Sequence, residues 1–189
     1  MRVIAGEFRS RRLKTPQGMD VRPTPDRLRE SLFSILAAEI PGIVFADLYA
    51  GCGSVGIEAL SRGASKCIFV ERARQASALL KENLASLGIA ARAQVIQGNA
   101  STYASSLAAE IVFLDPPFNR TEEYDKTLPQ LGESASRLVI AQHPARFALA
   151  EHYGRLRRYR QLRQGDNMLS FFEAQRASSA PPNGPETPG

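Results

Sequence analysis

Apolar runs and helical segments alternate through the middle of this 189-residue chain, and this alternation restricts the fold more than any other feature of the sequence. The runs that predict strands cover about residues 44–49, 66–71, 93–97, 110–115 and 137–142. Strands separated by helices are typical of βαβ units, which form a parallel sheet with helices on both faces. The sequence therefore predicts an α/β fold.

The segments between and after these runs complete the pattern. Residues 73–87 predict a helix that ends at Gly88. Its apolar face consists of Ala76, Leu80, Leu84 and Leu87. After residue 153, two runs flank a turn signal at 164–167, which predicts an antiparallel hairpin at the sheet edge. From about residue 177 the chain is rich in Pro, Gly and Ser, so we expect a disordered tail.

A helix is also predicted ahead of the first strand, in RPTPDRLRESLFSILAA. Thr24 is a candidate N-cap, and Pro25 suits the first helical position because its missing N–H group would have no partner there. The apolar stripe consists of Leu28, Leu32, Ile35 and Leu36. We expect this stripe to pack on the sheet.

Composition excludes several classes of protein. A chain of 189 residues that is 43% hydrophobic can bury one sizeable core but is short for two α/β domains. It contains neither a run of about 18 apolar residues nor the apolar centre of a signal peptide, so we expect a cytoplasmic protein with no membrane segment. The two cysteines, Cys52 and Cys67, form no Cys/His cluster, so we expect neither a disulfide nor a metal site.

The stretch DLYAGCGSVG, residues 47–56, follows the first predicted strand and contains G-x-G-x-x-G at Gly51, Gly53 and Gly56. Such a loop brings backbone N–H groups and a helix N-terminus close to a ligand. Glu71, at the end of the next strand, can accept hydrogen bonds from two ribose hydroxyls. These features fit a nicotinamide dinucleotide, but they also fit a nucleoside ligand without a pyrophosphate.

Asp47 distinguishes the two ligands. A dinucleotide would bring an anionic pyrophosphate to this loop, where a nearby carboxylate repels it. S-adenosylmethionine instead carries a sulfonium and an α-ammonium group, which Asp47 would attract directly or through water. We therefore predict S-adenosylmethionine as the cofactor, with Asn99 accepting a hydrogen bond from the adenine amino group.

The stretch Asp115-Pro116-Pro117-Phe118 follows the fourth predicted strand. The two prolines hold the backbone rigid and leave the Pro116 carbonyl free to accept a hydrogen bond. If Asp115 and this carbonyl each accept one N–H of a nucleobase amine, the nitrogen lone pair is turned toward the methyl donor. Phe118 offers a stacking face to a base that has left its helix. We predict methyl transfer to a base amine, with Asp115, Pro116 and Phe118 as the catalytic residues and no metal.

Basic residues are concentrated near both ends of the chain, whose formal charge is +5. The first stretch contains Arg2, Arg9, Arg11, Arg12 and Lys14. The second contains Arg155, Arg157, Arg158, Arg160 and Arg163, with Tyr159 among them. Two such stretches can meet in a folded chain, and together they would attract a polyanion.

Several segments of the chain resemble the RsmD family of class I methyltransferases. These are bacterial enzymes that methylate the exocyclic N2 of a guanine in small-subunit (16S) ribosomal RNA. The resemblance covers about residues 1–175. It rests on RVIAGEFRSRRL, RPTPDRLRESLFSIL, DLYAGCGSVGIEALSRGA, FVE, GNA and DPPF, in that order. The two N-terminal segments narrow the family, because the glycine loop and DPPF are shared by many methyltransferases.

The resemblance implies a Rossmann-like fold with a seven-stranded, mostly parallel sheet whose last strand is antiparallel. We expect a monomer that acts on ribosomal RNA within a small-subunit particle, although the sequence alone does not distinguish the particle from naked RNA. Residues 1–40 would bind RNA and cover the donor site, and residues 41–176 would form the catalytic domain, followed by the tail at 177–189. The residues assigned to the cofactor are Thr24, Asp47, Tyr49, Ala50, Gly51, Gly53, Glu71, Arg72, Asn99 and Ala100. Those assigned to RNA are Arg9, Arg11, Arg12, Lys14 and Arg22.

Other functions remain open on the sequence. A DNA adenine-N6 methyltransferase could use the same Asp-Pro-Pro-Phe site, although no added target-recognition region is visible. An NAD-dependent dehydrogenase would leave this site unexplained and would place Asp47 badly. A non-catalytic RNA-binding module gives no reason for Asp115 beside the donor loop.

Overall fold

One mixed β-sheet organises the structure, a computed structural model that describes residues 1–15 and 25–175. Within these residues the sheet has eight strands in the order β3-β2-β1-β4-β5-β8-β7-β6. The strands are β1 Val44–Leu48, β2 Lys66–Glu71, β3 Ala93–Gln97, β4 Ile111–Leu114, β5 Leu138–Pro144, β6 His152–Tyr153, β7 Leu156–Gln164 and β8 Asn167–Ala174.

The direction of the strands confirms the predicted fold class. Strands β1 to β5 are parallel, and β8 pairs antiparallel with β5. The predicted hairpin is β7 and β8, joined at Gly165 and Asp166. The predicted number of seven strands is wrong for the described residues, because the two-residue β6 adds an eighth strand beside the start of β7. So short a strand has no apolar alternation from which it could be predicted.

Helices cover both faces of the sheet. They are α1 Asp26–Ile35, α2 Ser54–Ser61, α3 Arg74–Ser86, α4 Ala100–Tyr103 and α5 Glu122–Gly132. Strand residues alternate between two apolar clusters: Phe45 and Ile111 pack with α1, α2 and α3, while Ala46 and Val112 pack with α4 and α5. Burial on both faces explains why the parallel strands are continuous apolar runs. No helix in the described ranges is long and apolar enough to cross a membrane.

The helix α1 begins one residue later than predicted. Pro25 has an extended ψ of 140°, and its carbonyl accepts the N–H of Arg29, so Pro25 precedes the helix instead of occupying its first position. Thr24, the predicted N-cap, lies outside the described residues. The apolar stripe is confirmed: Leu28, Leu32 and Leu36 are buried, and Ile35 packs partly buried against the same core.

The N-terminal arm, residues 1–15, folds back onto α2. The buried carboxylate of Glu58 accepts the backbone N–H groups of Ile4 at 2.8 Å and Ala5 at 3.0 Å. Gly6 has a φ of +83°, and a Cβ atom there would lie 1.9 Å from the carbonyl oxygen of Ser61. Glycine is therefore required where the arm touches the helix, which explains the RVIAGE stretch in physical terms.

The buried guanidinium of Arg29 ties α1 to the same arm. Its Nη2 donates to the carbonyl of Arg2 at 2.6 Å and to the carboxylate of Asp26 at 3.0 Å. Burial lowers the pKa of Arg29, and the negative charge of nearby Glu58 opposes this effect. The arm, α1 and α2 thus share one packed layer with the sheet.

Candidate active site at the carboxyl edge of the sheet

The predicted functional segments meet at one edge of the sheet. Strands β1, β2, β3 and β4 are parallel neighbours, so the loops that follow them all emerge at the carboxyl edge. The register pairs Leu48 with both Val70 and Leu114, which places the glycine loop between the segment after β2 and the segment after β4. In open parallel sheets ligands bind at this edge, where the order of the strands reverses.

The glycines of the loop differ in their surroundings. Gly51 has a φ of +55°, and a Cβ atom there would meet no other atom within 4 Å. At Gly56 a Cβ atom would lie 2.3 Å from the ring of Phe69 and 2.7 Å from the sulfur of Cys67. Gly56 therefore allows α2 to pack closely on β2, whereas Gly51 leaves open space at the predicted donor site. Ala50 is buried, and its N–H donates to the Val70 carbonyl, which fixes the loop to β2.

Asp47 lies beneath this loop. Its side chain is 2% exposed, and its Oδ2 accepts the N–H of Gly56 at 2.8 Å, in the first turn of α2. Burial raises the pKa of Asp47 to about 7, although the hydrogen bond from Gly56 opposes the change. One carboxylate oxygen is thus committed to α2, and the predicted contact with a cationic donor remains a prediction.

Glu71 and Asn99 end the two neighbouring strands. The Glu71 carboxylate is half-buried and accepts the N–H groups of Gly51 at 2.8 Å and Ala73 at 2.7 Å. The Gly98 N–H donates to the Glu71 carbonyl, which brings the loop after β3 beside that carboxylate. Asn99 is exposed and its side chain does not cap α4. Arg72 is exposed beside Glu71, and Ala100 is buried as the first residue of α4.

The Asp115-Pro116-Pro117-Phe118 segment forms a tight turn directly after β4. Asp115 and Phe118 are half-buried, Pro116 is buried and Pro117 is exposed. The N–H of Arg120 donates to the Pro117 carbonyl at 2.8 Å and closes the turn. The structure thus places an acid and an aromatic ring beside the glycine loop, as the sequence predicts.

A rigid aromatic group lies near Asp115. Tyr124 is fully buried, donates its hydroxyl to the Gln142 carbonyl at 2.5 Å and stacks on Phe147 with a centroid distance of 5.5 Å. Burial and the negative charge of Asp115 both raise the pKa of Tyr124. His143 packs edge-on against Tyr124 and bonds to Ser170 at 2.9 Å, and burial lowers its pKa. This end of β5 is therefore fixed by packing.

Hydrogen bonds and an ion pair link the glycine loop to the turn after β4. Tyr49, which has a φ of +65°, donates its hydroxyl to Glu123 at 3.1 Å and lies 2.7 Å from the Thr127 hydroxyl. Burial raises the pKa of Tyr49. The other carboxylate oxygen of Glu123 lies 3.5 Å from Arg120, at the end of the turn. Tyr49 is thus held by α5, and Glu123 joins the two loops that carry the candidate site.

We expect Glu123→Gln to lower the rate constant of methyl transfer about fivefold to tenfold, because the amide loses the charge that holds Arg120 and positions both loops. Glu122→Gln is the matched control, since Glu122 also faces Arg120, at 3.6 Å, but is largely exposed. The kcat and KM of both variants measure the effect. Equal kcat values in the two variants would contradict a positioning role for Glu123.

The predicted RNA-binding residues lie mostly on the surface of the arm. Arg9, Arg11 and Arg12 are exposed, and Arg11 donates to the Ser86 carbonyl at 3.2 Å. Lys14 forms an ion pair with Glu82 at 2.8 Å, so its charge is already partly matched. Arg22 lies outside the described residues, as do Thr24 and the predicted tail at 177–189.

The structure places the two basic stretches against different parts of the sheet. Lys14 of the arm donates its N–H to Asn83 of α3, which packs beside β2 and β3. The second stretch forms β7, near the opposite edge of the sheet. The order of the strands separates them, and that order is a long-range property that charge spacing does not contain.

The residues missed by sequence reasoning are mainly acids. Glu123 and Glu58 both occur in helices, where a carboxylate normally indicates a solvated face. Only the contacts of Glu58 with the arm and of Glu123 with Tyr49 reveal their roles. Among the described residues, no group of three or more His, Cys, Asp and Glu side chains is arranged to hold a metal ion.

Comparisons with known proteins agree with this geometry. Residues 1–173 match a family model described as "Conserved hypothetical protein 95". Ribosomal RNA small subunit methyltransferase D of Escherichia coli is 42% identical over 144 residues, covering 74% of this chain and 72% of the relative. The solved structure of Escherichia coli yhhF has a TM-score of 0.80 and 32% identity, covering 93% of this chain and 98% of that one.

A more distant solved structure shares the fold alone. An RNA methyltransferase from Salinibacter ruber, in complex with S-adenosyl-L-homocysteine, is 18% identical with a TM-score of 0.63, covering 84% of this chain and 98% of that one. The family match spans nearly all of the described residues, and the identity to the Escherichia coli relative is well above that of the distant fold neighbour. The chain therefore belongs to the RsmD family, that of ribosomal RNA small subunit methyltransferase D.

Proposed function

We propose that this protein is an S-adenosylmethionine-dependent methyltransferase that modifies the exocyclic N2 amine of a guanine in small-subunit ribosomal RNA. One observation carries the proposal: Asp115, Pro116 and Phe118 follow β4, directly beside the glycine loop that follows β1. A methyl donor and a planar amine can meet between these segments. The relative from Escherichia coli, a ribosomal RNA small subunit methyltransferase, supports ribosomal RNA as the substrate class.

The residues at the carboxyl edge fit the cofactor. Gly51 leaves open space for a ligand, and the Asn99 side chain is not used as a helix cap. Each Glu71 oxygen accepts one backbone N–H and retains a lone pair for a ribose hydroxyl. When bound, S-adenosylmethionine supplies an electrophilic methyl group on a positively charged sulfur.

Asp115 and the Pro116 carbonyl act on the acceptor amine. Each accepts one N–H, so the nitrogen lone pair is turned away from the protein backbone and toward the donor site. Asp115 then receives the proton that the amine must lose, because a methylated amine nitrogen is strongly acidic until it is deprotonated. Phe118 is half-exposed and stacks on the base that presents this amine. Tyr124, which stacks on Phe147, lies close enough to Asp115 for its pKa to be raised by burial and by the Asp115 charge.

Transfer of a labelled methyl group tests the proposal. Purified protein is incubated with tritiated S-adenosylmethionine and one of three substrates: small-subunit particles that lack the modification, naked small-subunit rRNA, or duplex DNA. Label in either RNA substrate is the expected result, and comparison of the two shows whether the assembled particle is preferred. Label in DNA alone would overturn the proposal in favour of an adenine-N6 methyltransferase.

We expect replacement of Arg9, Arg11 and Arg12 by Ala to weaken RNA binding and its dependence on salt. Each lost phosphate contact reduces the slope of log K against log salt by about 0.7–0.9, so three contacts reduce it by about 2. Lys66→Ala is the control, because Lys66 is an exposed cation outside the arm, at the amino end of β2 and away from the carboxyl edge that carries the candidate site. Binding titrations from low to high salt measure the slope. An unchanged slope in the triple variant would remove the arm from the RNA interface.

A further inference from the structure

The strand β7 carries cations along an edge that is only partly covered. It pairs with β8 along its length, but β6 pairs with Leu156 and Arg157 alone. From Arg158 onward, no other strand of the described residues covers its outer side. Edge strands of this kind are commonly protected by charge. The arginines of β7 are Arg157, Arg158, Arg160 and Arg163.

A β-bulge places an aromatic ring among these cations. Arg158 pairs with Phe172 and Arg160 with Phe171, so Tyr159 is an extra residue in the register. Successive strand residues normally point to opposite faces, but a bulge breaks this alternation. As a result Tyr159 and Arg160 both lie against Phe171, with a ring centroid distance of 6.3 Å for Tyr159 and 5.8 Å from the Arg160 Cζ to the ring.

Tyr159 is a large exposed side chain on this strand. It is 50% exposed, and in the described part of the chain no other large hydrophobic side chain is classed as exposed. The guanidinium of neighbouring Arg160 lies over the Phe171 ring and forms no ion pair with a described residue. An aromatic ring beside an unpaired guanidinium is a surface on which a nucleobase can stack while its phosphate is neutralised.

Two acids and two arginines lie near Tyr159. Burial raises the pKa of Tyr159, and the charges of Glu39 and Glu173 add to this effect, but Glu39 already forms an ion pair with Arg137 at 2.6 Å. Glu173 is opposite Arg157 in the register of β7 and β8. Both nearby acids therefore have a cationic neighbour, and Arg160 remains available to a phosphate.

The position of β7 suits a substrate that also reaches the candidate active site. Gln164 ends β7 beside Asn167, which in turn faces Pro144 at the carboxyl end of β5. Asp115 follows β4 at this same edge. Strands β7 and β4 are three strand spacings apart in the sheet, or about 14 Å at the usual spacing. The register places Gln161 level with Leu114, the last residue of β4. Tyr159 lies about two residues further back, so roughly 16 Å separates it from the end of β4.

We propose that Tyr159 and Arg160 form a stacking platform for an unpaired base of the RNA substrate, flanking the target guanine. This inference rests on the proposed function and adds a second contact surface to it. Single-stranded RNA is the occupant that uses both features, because its bases are free to stack and its phosphates pair with arginine. Duplex RNA offers phosphates but no free base face.

The test compares Tyr159→Ala and Tyr159→Phe in binding and in methyl transfer. Fluorescence anisotropy with a labelled 15-nucleotide unpaired RNA should show about tenfold weaker binding for Tyr159→Ala, since one stacked base contributes about a tenfold change in affinity. Tyr159→Phe retains the ring and should bind like the wild type. Affinity for an RNA duplex of the same length should be equal in all three proteins. Arg160→Ala should lower the salt slope on the unpaired RNA by about 0.7.

Methyl transfer separates this inference from the function on which it rests. With naked small-subunit rRNA, Tyr159→Ala should raise KM about tenfold and leave kcat unchanged, because the platform lies far from Asp115. Wild-type affinity of Tyr159→Ala for the unpaired RNA would overturn the proposal. A KM defect seen with assembled particles but not with naked rRNA would also overturn it, because the surface would then bind a protein of the particle. The binding assay needs no methyl transfer, so its result stands even if the proposed activity fails.

Discussion

Replacement of Asp115 by Asn is expected to lower methyl transfer to RNA by about 10²–10⁴-fold without weakening the affinity for S-adenosylmethionine. The amide oxygen can still accept one N–H from the base, but the amide cannot receive the proton that the amine loses. The donor site should be unaffected, because its predicted contacts come from the segments after β1, β2 and β3. Single-turnover rates with labelled donor measure the chemical step, and calorimetry measures donor binding.

The control for this change is Asp166→Asn. Asp166 is an exposed aspartate in the turn between β7 and β8, and it is remote from the glycine loop. It should retain the wild-type rate. An Asp115→Asn protein with full activity would show that the proton leaves by another route, and the proposed role of Asp115 would be wrong.

The second large effect is the pH dependence of the free energy of unfolding that the Asp47 carboxylate causes. The pKa of Asp47 in the folded protein is about 7, compared with an ordinary 3.8, because burial disfavours its charge. Between these two values the folded protein binds one more proton than the unfolded chain, so the free energy of unfolding falls as pH rises. The loss begins near pH 4 and is complete once pH exceeds about 7. At 1.36 kcal/mol per pH unit it amounts to at most about 4 kcal/mol.

Asp47→Asn should remove this part of the pH dependence. The amide oxygen can still accept the Gly56 N–H that caps α2, so the fold is preserved. Urea unfolding from pH 4 to pH 8 measures the difference in stability between the two proteins, which should shift in favour of the variant as pH rises. A difference that stays constant with pH would show that Asp47 does not titrate in this range.

The same carboxylate should link donor binding to pH. A bound cation favours the ionised form of Asp47, so the affinity of the wild type for S-adenosylmethionine should rise as pH increases through 7. Each pH unit by which binding lowers the pKa corresponds to about a tenfold gain in affinity. Calorimetry in buffers of different ionisation enthalpy counts the released protons. Asp47→Asn should bind more weakly and release none, and proton release equal to that of the wild type would assign the effect to another group.

The parallel half of the fold could be predicted because its strands are buried on both faces and read as continuous apolar runs. Strands 66–71 and 93–97 have the predicted bounds. The helix α5 could not be predicted from the sequence pattern, because Pro129 lies inside it and proline normally interrupts a helix. Without α5, the contacts of Glu123 with Tyr49 and Arg120 could not be foreseen.

The predictable part of the candidate site consists of residues whose chemical type suits the reaction and which lie at the end of a predicted strand. Asp115 and Glu71 both occupy such positions, and parallel pairing alone brings them to one edge. Sequence spacing could not show that the Asp47 carboxylate accepts the N–H of Gly56. It also could not show that β7 lies far from the arm. These facts depend on side-chain direction and on strand order, which are set by packing across the whole sheet.

The identity of the methylated nucleoside is the most direct test of the central claim. Small-subunit particles and naked rRNA that lack the modification are treated with the protein and S-adenosylmethionine, digested to nucleosides and analysed by mass spectrometry, with the Asp115→Asn protein in parallel. We expect N2-methylguanosine at a single site with the wild type and none above background with the variant. A methyl group on any other atom, or equal N2-methylguanosine from both proteins, would contradict it.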